Sequence, residues 1–215
     1  MKIVLCAVIS YLIGCINPSF IFAKIKGFDI RSRGSGNAGA SNAVITMGKA
    51  VGLFSALFDI FKAWLATFIG ALLCPDVSFI FAIASGCCIL GHIFPFPMGF
   101  KGGKGLACLG GTVLSYSWKL FLILLGIEAV LVLCADYICI VPITASVAFT
   151  VIYGIQRRDV VGTVIFAVIS FVMVLKHVEN IKRIKNGTEM HVSYLWRPKK
   201  ETNRMEDALG KGSEK

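Results

Sequence analysis

Long apolar segments alternate with short polar connections along most of the chain. Several of the segments approach the ~20 residues with which an α-helix crosses a bilayer. None of them keeps up the two-residue alternation that is typical of a β-strand. The pattern therefore predicts an all-α integral membrane protein, a bundle of about seven transmembrane helices. The predicted segments are residues 3–23, 50–73, 77–96, 105–118, 119–134, 138–155 and 160–176.

The fourth and fifth segments are short, and only the stretch from Ser115 to Lys119 separates them. Two short helices or one long kinked helix would both fit, so we expect seven spans and keep five as the alternative. Beyond the last segment the sequence becomes polar. We expect a single transmembrane domain over residues 1–198 and a disordered, polar cytoplasmic tail over residues 199–215.

Composition agrees with the membrane class and excludes others. Of the 215 residues 56% are apolar and 16% are charged, and the net charge is +10. The basic residues lie in the connections rather than on a soluble face, which argues against a nucleic-acid partner and favours anionic lipid and phosphate ligands. The eight cysteines lie mostly inside apolar segments without a Cys-x-x-Cys pattern. We interpret them as packing residues, and we expect no metal and no cofactor.

The distribution of lysine and arginine predicts the orientation in the membrane. Basic residues are concentrated after the first, third and seventh segments. With seven spans these three regions share one side, which the positive-inside rule makes cytoplasmic. The N-terminus is then outside and the C-terminus cytoplasmic. Arg157 and Arg158 depart from this prediction, because they fall on the other side.

The connection over residues 27–42 combines glycines with hydroxyl, amide and guanidinium side chains. Glycines permit tight left-handed turns, and successive N–H groups in such turns can bind an anion. A flexible polar loop is the alternative, but the density of hydrogen-bonding groups before an apolar helix favours an anion site. The candidate binding residues here are Arg31, Ser35, Gly36, Asn37, Gly39, Ser41 and Asn42.

A second connection follows Gly91 to Pro95 and reads Phe-Lys-Gly-Gly-Lys-Gly over residues 100–105. Lys101 and Lys104 supply positive charge, and Gly102 and Gly103 allow the backbone to approach a ligand closely. The stretch is not a nucleotide-binding P-loop, because glycine stands at residue 105, where a Ser or Thr would bind magnesium. It predicts phosphate binding without a metal ion.

The third polar region extends from Lys176 to Glu189. On a helix His177 and Asn180 share one face, and Arg183 continues it. A lone histidine at a membrane exit is more often an interfacial anchor, so it is the neighbours of His177 that point to function. His191 has no such neighbours, and we expect it to be a surface residue.

Charged residues inside the segments and missing motifs complete the inventory. Asp59 and Lys62 are three residues apart in the second segment, where they form a structural ion pair or face a polar cavity. Glu128 in the fifth segment has no partner evident from the sequence. A histidine followed five positions later by aspartate, the dyad of one large acyltransferase class, does not occur, and neither does Gly-x-Ser-x-Gly.

Three motifs of this sequence resemble those of the bacterial acyl-phosphate:glycerol-3-phosphate acyltransferase family (PlsY). They are Gly-Ser-Gly-Asn-x-Gly-Ala-Ser-Asn from residue 34, Gly-His-x-Phe-Pro with Phe-Lys-Gly-Gly-Lys-Gly, and His-x-x-Asn-x-x-Arg with Gly-Thr-Glu. Their order, their spacing and the chain length all agree, so the resemblance covers almost the whole chain.

The resemblance implies a seven-helix protein of the bacterial inner membrane with its active site at the cytoplasmic face. The reaction it implies is the first acylation of phospholipid synthesis, from acyl phosphate to the 1-hydroxyl of sn-glycerol 3-phosphate, giving lysophosphatidic acid and phosphate. We expect a monomer in the lipid bilayer. Carried over by position, the implied active-site residues are Ser35, Asn37, Lys104, His177 and Asn180, while Gly36, Gly39, Gly102 and Gly103 shape the loops.

Three positions depart from the family pattern. Ser41 replaces threonine and keeps its hydroxyl, whereas Cys108 replaces threonine and loses a good donor. Ile45 stands where the family has an arginine on its phosphate-binding side. We expect residue 45 near the first turn of the second spanning helix, with partial compensation by Arg31, Arg33 or Lys49.

Two other functions stay open from the sequence. The loss of the arginine at residue 45 could mark a divergent paralogue with an altered acceptor or weak catalysis. A small anion or lipid-headgroup transporter is the second alternative, although the internal repeats expected of a transporter are not visible.

Overall fold

The computed structural model describes residues 1–195 together with Arg197 and Arg204. Within these residues all regular elements are helical. The α-helices are α1 Lys2–Cys15, α2 Pro18–Ile25, α3 Ala40–Met47, α4 Lys49–Leu73, α5 Ile80–Ile93, α6 Leu106–Tyr116, α7 Trp118–Ala135, α8 Ile140–Arg157, α9 Val160–Lys176 and α10 Val178–Lys185. Short 3₁₀ helices lie at Ile30–Ser32, Phe96–Met98 and Val192–Leu195.

The predicted all-α membrane fold is confirmed. By length and composition five stretches can each cross a bilayer: α4, α5 with the 3₁₀ helix after it (Ile80–Met98), α7, α8, and α9 with α10 (Val160–Lys185). Helices α1 and α2, bent by 41°, make a sixth candidate. Helix α6, with 11 residues, is shorter than a full span. The count of seven spans and the orientation of the termini therefore stay predictions.

The fourth and fifth predicted segments are two helices rather than one. Ser117 separates α6 from α7 in an extended conformation, and its hydroxyl caps α7 by accepting a hydrogen bond from the N–H of Leu120 at 3.2 Å. A cap of this kind satisfies one of the N–H groups that a helix start leaves without a partner. The chain therefore begins a new helix here.

The expected start of the second spanning helix is wrong. Residues 40–47 form the separate helix α3, and Gly48, with a φ of 96°, ends it before α4 begins at Lys49. A positive φ is easily adopted by glycine, which explains the break at this residue. Ile45 consequently lies in the second turn of a short helix and not in the first turn of a span.

The break between α1 and α2 carries a polar link to the first glycine-rich connection. Asn17 caps α2, since its side-chain oxygen accepts a hydrogen bond from the N–H of Phe20 at 2.9 Å. The Asn17 amide donates to the carbonyl of Ala38 at 2.8 Å. One buried side chain thus fixes both the bend of the helix pair and the position of the connection that precedes α3.

Helices α1 and α5 pack closely because small residues lie between them. A Cβ atom at Gly14 would overlap the backbone of Cys88, and one at Gly91 would overlap the backbone of Tyr11. Such close backbone approach is a usual way for helices to associate in a bilayer, where lipid removes the hydrophobic drive. The contact places the C-terminal end of α5 beside the break that follows α1.

The division into residues 1–198 and a tail stays a prediction. Of the predicted tail only Arg204 is among the described residues, and its guanidinium donates to the carbonyls of Gly187 and Glu189 at 2.6 Å each. The other residues of the expected disordered tail lie outside the described part of the chain.

Candidate active site

A cavity of about 330 Å³ lies at one end of the bundle, and all three polar regions contribute to it. The predicted site residues that line it are Ser35, Asn37, Gly39, Ser41, Lys104, His177 and Asn180. Helix α8 also begins at this cavity, so Arg157 at its far end lies about 27 Å away along the helix. The exceptional Arg157–Arg158 pair is therefore at the opposite end of the bundle.

Four helix N-termini meet at the cavity, and no side chain caps any of them. The residues before α3, α6, α8 and α10 all line it, namely Gly39, Gly105, Cys139 and His177. The first N–H groups of a helix have no partner within it, and the aligned peptide dipoles place about half a positive charge there. At α8 the N–H groups of Ile140 and Val141 donate to the carbonyls of Tyr137 and Ile138, and α10 begins directly where α9 ends. The starts of α3 and α6 are therefore the ends that favour an anion in the cavity.

Lys104 belongs to a chain of polar side chains that joins the second and third regions. Its ammonium donates to the side-chain oxygen of Asn180. The Asn180 amide donates to Glu189 at 2.6 Å, and the Nε–H of Arg183 donates to the other oxygen of Glu189 at 2.6 Å. Burial lowers the pKa of the Lys104 ammonium, and the nearby Arg183 charge acts in the same direction.

The ring orientation of His177 follows from one backbone contact. Its Nδ1 lies 2.7 Å from the carbonyl oxygen of Met173, which can only accept a hydrogen bond. The proton of the neutral ring is therefore on Nδ1, and Nε2 carries the lone pair. Because His177 lines the cavity, a proton acceptor is available there.

Asp59, Lys62 and His92 form a buried cluster beside the cavity. The Lys62 ammonium lies 2.7 Å from Asp59 Oδ1 and 3.0 Å from His92 Nδ1, and it donates to the carbonyls of Gly14 and Ile16 at 3.0 and 2.7 Å. Asp59 and His92 line the cavity, whereas Lys62 lies behind them. The two interpretations of Asp59 and Lys62 therefore both hold, because they are an ion pair and one member faces a polar cavity.

Two predicted site residues of the first connection, Asn42 and Gly36, do not line the cavity. The fully buried Asn42 accepts a hydrogen bond from the N–H of Ser35 and donates to the carbonyls of Ile30, Arg33 and Asn37. Since both ends of its amide are engaged inside the loop, Asn42 shapes the position of Ser35 and Asn37. Gly36 lies outside the cavity, in a separate open hollow.

Arg31 is likewise engaged elsewhere. Its guanidinium binds Asp29 at 2.7 Å and the carbonyls of Met98 and Lys101 at 2.7 and 3.2 Å. These contacts link the first connection to the second and lower the pKa of the Asp29 carboxyl to about 2. Arg31 thus links the two connections and lies beside the open hollow, outside the cavity.

Gly102 and Gly103 do not offer their N–H groups to a ligand. Those groups donate to the carbonyls of Ile93 and His92, both at 3.1 Å, at the end of α5. The expected anion nest of this loop is therefore not formed by these two residues. Lys101 and Gly102 face the open hollow, and the cavity receives Lys104 and the start of α6 instead.

Isoleucine at residue 45 changes the cavity wall. Ile45 lines the cavity, so this part of the wall is apolar. The residues expected to compensate do not line it: Arg31 is engaged as described, Arg33 stacks on Phe28 at 4.1 Å, and Lys49 starts α4. The predicted compensation by these three side chains has no support in the described structure.

Three cavity residues were missed from the sequence, namely His92, Glu189 and His191. His92 and Glu189 belong to motifs quoted above, so their motif membership was a usable signal. Asp59 was recognised as an intramembrane carboxylate that could face a polar cavity, and it does line one. The prediction that His191 is a surface residue is wrong, because it is half-buried, lines the cavity and contacts Asp136 and Tyr137 at 3.4 and 3.0 Å.

The fold and the cavity together define a helical integral membrane protein with a polar cavity, lined by Lys104 and helix starts, at one end of its bundle. The chain belongs to the glycerol-3-phosphate acyltransferase family, since the family model of that description matches residues 4–187. It is 35% identical over 196 residues to the glycerol-3-phosphate acyltransferase of Bacillus subtilis, covering 91% of this chain and 100% of the relative. With the enzyme of that name from Lactiplantibacillus plantarum the identity is 36% over 208 residues, covering 95% and 100%.

Solved structures agree with the family. The chain resembles the crystal structure of PlsY, described as an integral membrane glycerol 3-phosphate acyltransferase in its glycerol 3-phosphate form, with a TM-score of 0.83 and 29% identity, covering 91% of this chain and 98% of that one. The lysophosphatidic acid form gives a TM-score of 0.79 at 28% identity, with 89% and 95% covered.

Proposed function

We propose that this acyltransferase moves a fatty acyl group from an acyl phosphate to the 1-hydroxyl of sn-glycerol 3-phosphate. The products are 1-acyl-sn-glycerol 3-phosphate and inorganic phosphate. The observation that carries the proposal is the convergence of the uncapped starts of α3 and α6 with Lys104 on one cavity. Two phosphate groups must lie side by side in this reaction, and such an arrangement of positive potential opposes their repulsion.

We propose that the residues at these helix starts bind the phosphate groups of both substrates. Lys104 supplies a full charge, and the first N–H groups of α6 and α3 supply donors beside it. Ser35, Asn37 and Ser41 offer uncharged hydrogen bonds from the first connection. Arg183 lies behind Asn180 and Glu189 and positions them through its ion pair at 2.6 Å.

The chemical step needs a base and a leaving group. The 1-hydroxyl oxygen attacks the acyl carbonyl carbon, the bond between that carbon and the phosphate oxygen breaks, and phosphate leaves with the electron pair. His177 Nε2, whose lone pair is set by the Met173 contact, accepts the hydroxyl proton. Phosphate is a good leaving group, so holding the two substrates in place supplies much of the acceleration.

The remaining walls suit an acyl chain. Val44, Ile45, Leu106, Ile138 and Pro142 give the cavity a largely apolar lining beside its polar groups. Apolar walls favour the hydrocarbon of the donor, which partitions from the bilayer. We propose a monomer as the working unit. The basic residues around the cavity end support its location at the cytoplasmic face of a bacterial inner membrane.

A variant acceptor is the second candidate, favoured by Ile45 alone. An apolar side chain at this wall removes one charged contact to phosphate and would admit a less anionic alcohol. The test is an acceptor panel with purified protein and one acyl phosphate, comparing glycerol 3-phosphate, dihydroxyacetone phosphate and glycerol. We expect glycerol 3-phosphate to give the highest kcat/KM. A higher value for glycerol would contradict the proposed acceptor and support the variant.

A further inference from the structure

His92 is a buried histidine that the mechanism above does not use. It is 3% exposed and lies in the last turn of α5. It nevertheless lines the cavity shared by Lys104, His177 and Asn180. Its Nδ1 faces Lys62 at 3.0 Å, while no described residue accepts a hydrogen bond from its Nε2.

Lys62 fixes the tautomer of this ring. An ammonium group has three N–H donors and cannot accept a hydrogen bond. Its three hydrogen bonds run to Gly14 O, Ile16 O and His92 Nδ1. Asp59 Oδ1, 2.7 Å away, balances the charge but lies outside the hydrogen-bonding directions. With Lys62 charged, Nδ1 accepts this hydrogen bond, and the proton of a neutral His92 ring is then on Nε2.

Gly103 determines where this Nε2–H group lies. A Cβ atom at Gly103 would occupy the place of His92 Nε2, so the missing side chain lets the imidazole edge reach the loop beside Lys104. The N–H of Gly103 is meanwhile held by the carbonyl of His92 at 3.1 Å. These two contacts hold the His92 ring against Gly103, the residue before Lys104.

We propose that His92 is a further substrate-contacting residue, a neutral imidazole whose Nε2–H donates to a phosphoryl oxygen in the cavity, with Lys62 as its positioning residue. The ligand is a phosphate monoester or acyl phosphate, and this inference rests on the proposed function. A neutral donor adds a hydrogen bond without a further full charge beside Lys104, and it needs no reorganisation because the cluster behind it is already fixed. No proton is transferred at His92.

The direct test is nitrogen NMR on the full-length protein labelled with ¹⁵N-histidine. The chain has three histidines, so His177→Gln and His191→Gln assign the signals. We expect His92 as the neutral Nε2–H form, with an Nε2 signal that shifts on adding glycerol 3-phosphate or inorganic phosphate. The proposal is overturned if the ring is doubly protonated or in the Nδ1–H form. It is also overturned if the Nε2 signal does not shift with either ligand at millimolar concentration.

Kinetics supply the second test. His92→Phe keeps a ring of similar size without the donor, and we expect kcat/KM for glycerol 3-phosphate or acyl phosphate to fall about ten- to hundredfold, as for a lost hydrogen bond to a charged group. His92→Gln restores an N–H donor and should recover part of that loss. Equal values for the two variants, both stably folded, would contradict a donor role.

Lys62→Met separates positioning from packing. Without the ammonium, the His92 proton is expected on Nδ1, where Asp59 Oδ1 lies 3.4 Å away. If the His92 tautomer is the same in Lys62→Met as in the wild type, the positioning role of Lys62 is refuted. If the variant does not fold, the tautomer in the wild-type spectrum tests the proposal. If the wild-type protein transfers acyl groups but the His92 Nε2 signal does not shift on adding phosphate, only this inference is contradicted. A phosphate-responsive His92 in a protein without turnover contradicts the proposed function alone.

Discussion

Replacing Lys104 by alanine should cripple acyl transfer. The Lys104 ammonium bonds Asn180 at the cavity wall and stands beside the uncapped start of α6. A hydrogen bond from a charged donor at such a partly buried place contributes ~1.5–3 kcal/mol. At ~1.4 kcal/mol per factor of ten, kcat/KM for glycerol 3-phosphate should fall about ten- to hundredfold. The assay is initial-rate release of phosphate by purified protein in detergent at fixed acyl phosphate.

The matched control is Lys26→Ala, which removes the same charge from an exposed position outside the cavity. It should change kcat/KM by less than about twofold. Lys104→Met adds a second comparison, because it keeps most of the apolar stem and loses only the ammonium. If Lys104→Ala melts at the wild-type temperature and turns over at the wild-type rate, the assignment of phosphate binding to Lys104 is refuted.

Three further predictions test other parts of the structure. Ile45→Arg should lower the KM for glycerol 3-phosphate with a smaller change in kcat, because residue 45 lines the cavity. Equal KM values for the wild type and the variant would show that residue 45 does not contact the phosphate. The pKa of Asp29 is held at about 2, below its ordinary ~3.9, so its carboxylate stabilises the fold above about pH 4 and loses that effect as the pH falls toward 2. Asp29→Asn should therefore lower the melting temperature at pH 7 but not at pH 2, and an equal loss at both would contradict the ion pair. Cysteines placed at the exposed Ser32 and Asn186 in a cysteine-free background should resist an impermeant thiol reagent in intact cells; labelling of either would refute the cytoplasmic orientation.

Much of the fold could be predicted because membrane helices leave strong patterns. Apolar length predicted the helices, and a serine in the middle of an apolar stretch marked the break between α6 and α7. The separate helix α3 was missed, since residues 43–47 were expected to begin the second spanning helix, whereas the φ of Gly48 divides them from α4. A backbone angle of this kind is weakly encoded by a single glycine.

The site was predictable where a motif residue carries its own chemistry. Lys104, His177 and Asn180 were expected together and do line one cavity. Arg31 and Asn42 were expected to bind substrate because their side chains can hold anions, yet the structure directs both to carbonyls of the loops. Sequence shows which groups can form hydrogen bonds, but the tertiary fold decides which partner each one meets.

The central claim concerns the acyl donor, and a competition between donors tests it most directly. Purified protein in lipid nanodiscs is given glycerol 3-phosphate with equal concentrations of an acyl phosphate and an acyl-CoA that carry differently labelled acyl chains of the same length. We predict that the lysophosphatidic acid formed carries almost entirely the label of the acyl phosphate, because the cavity places Lys104 and the helix starts, which suit a compact phosphate, beside an apolar wall. Equal labelling, or an excess from acyl-CoA, would contradict the account.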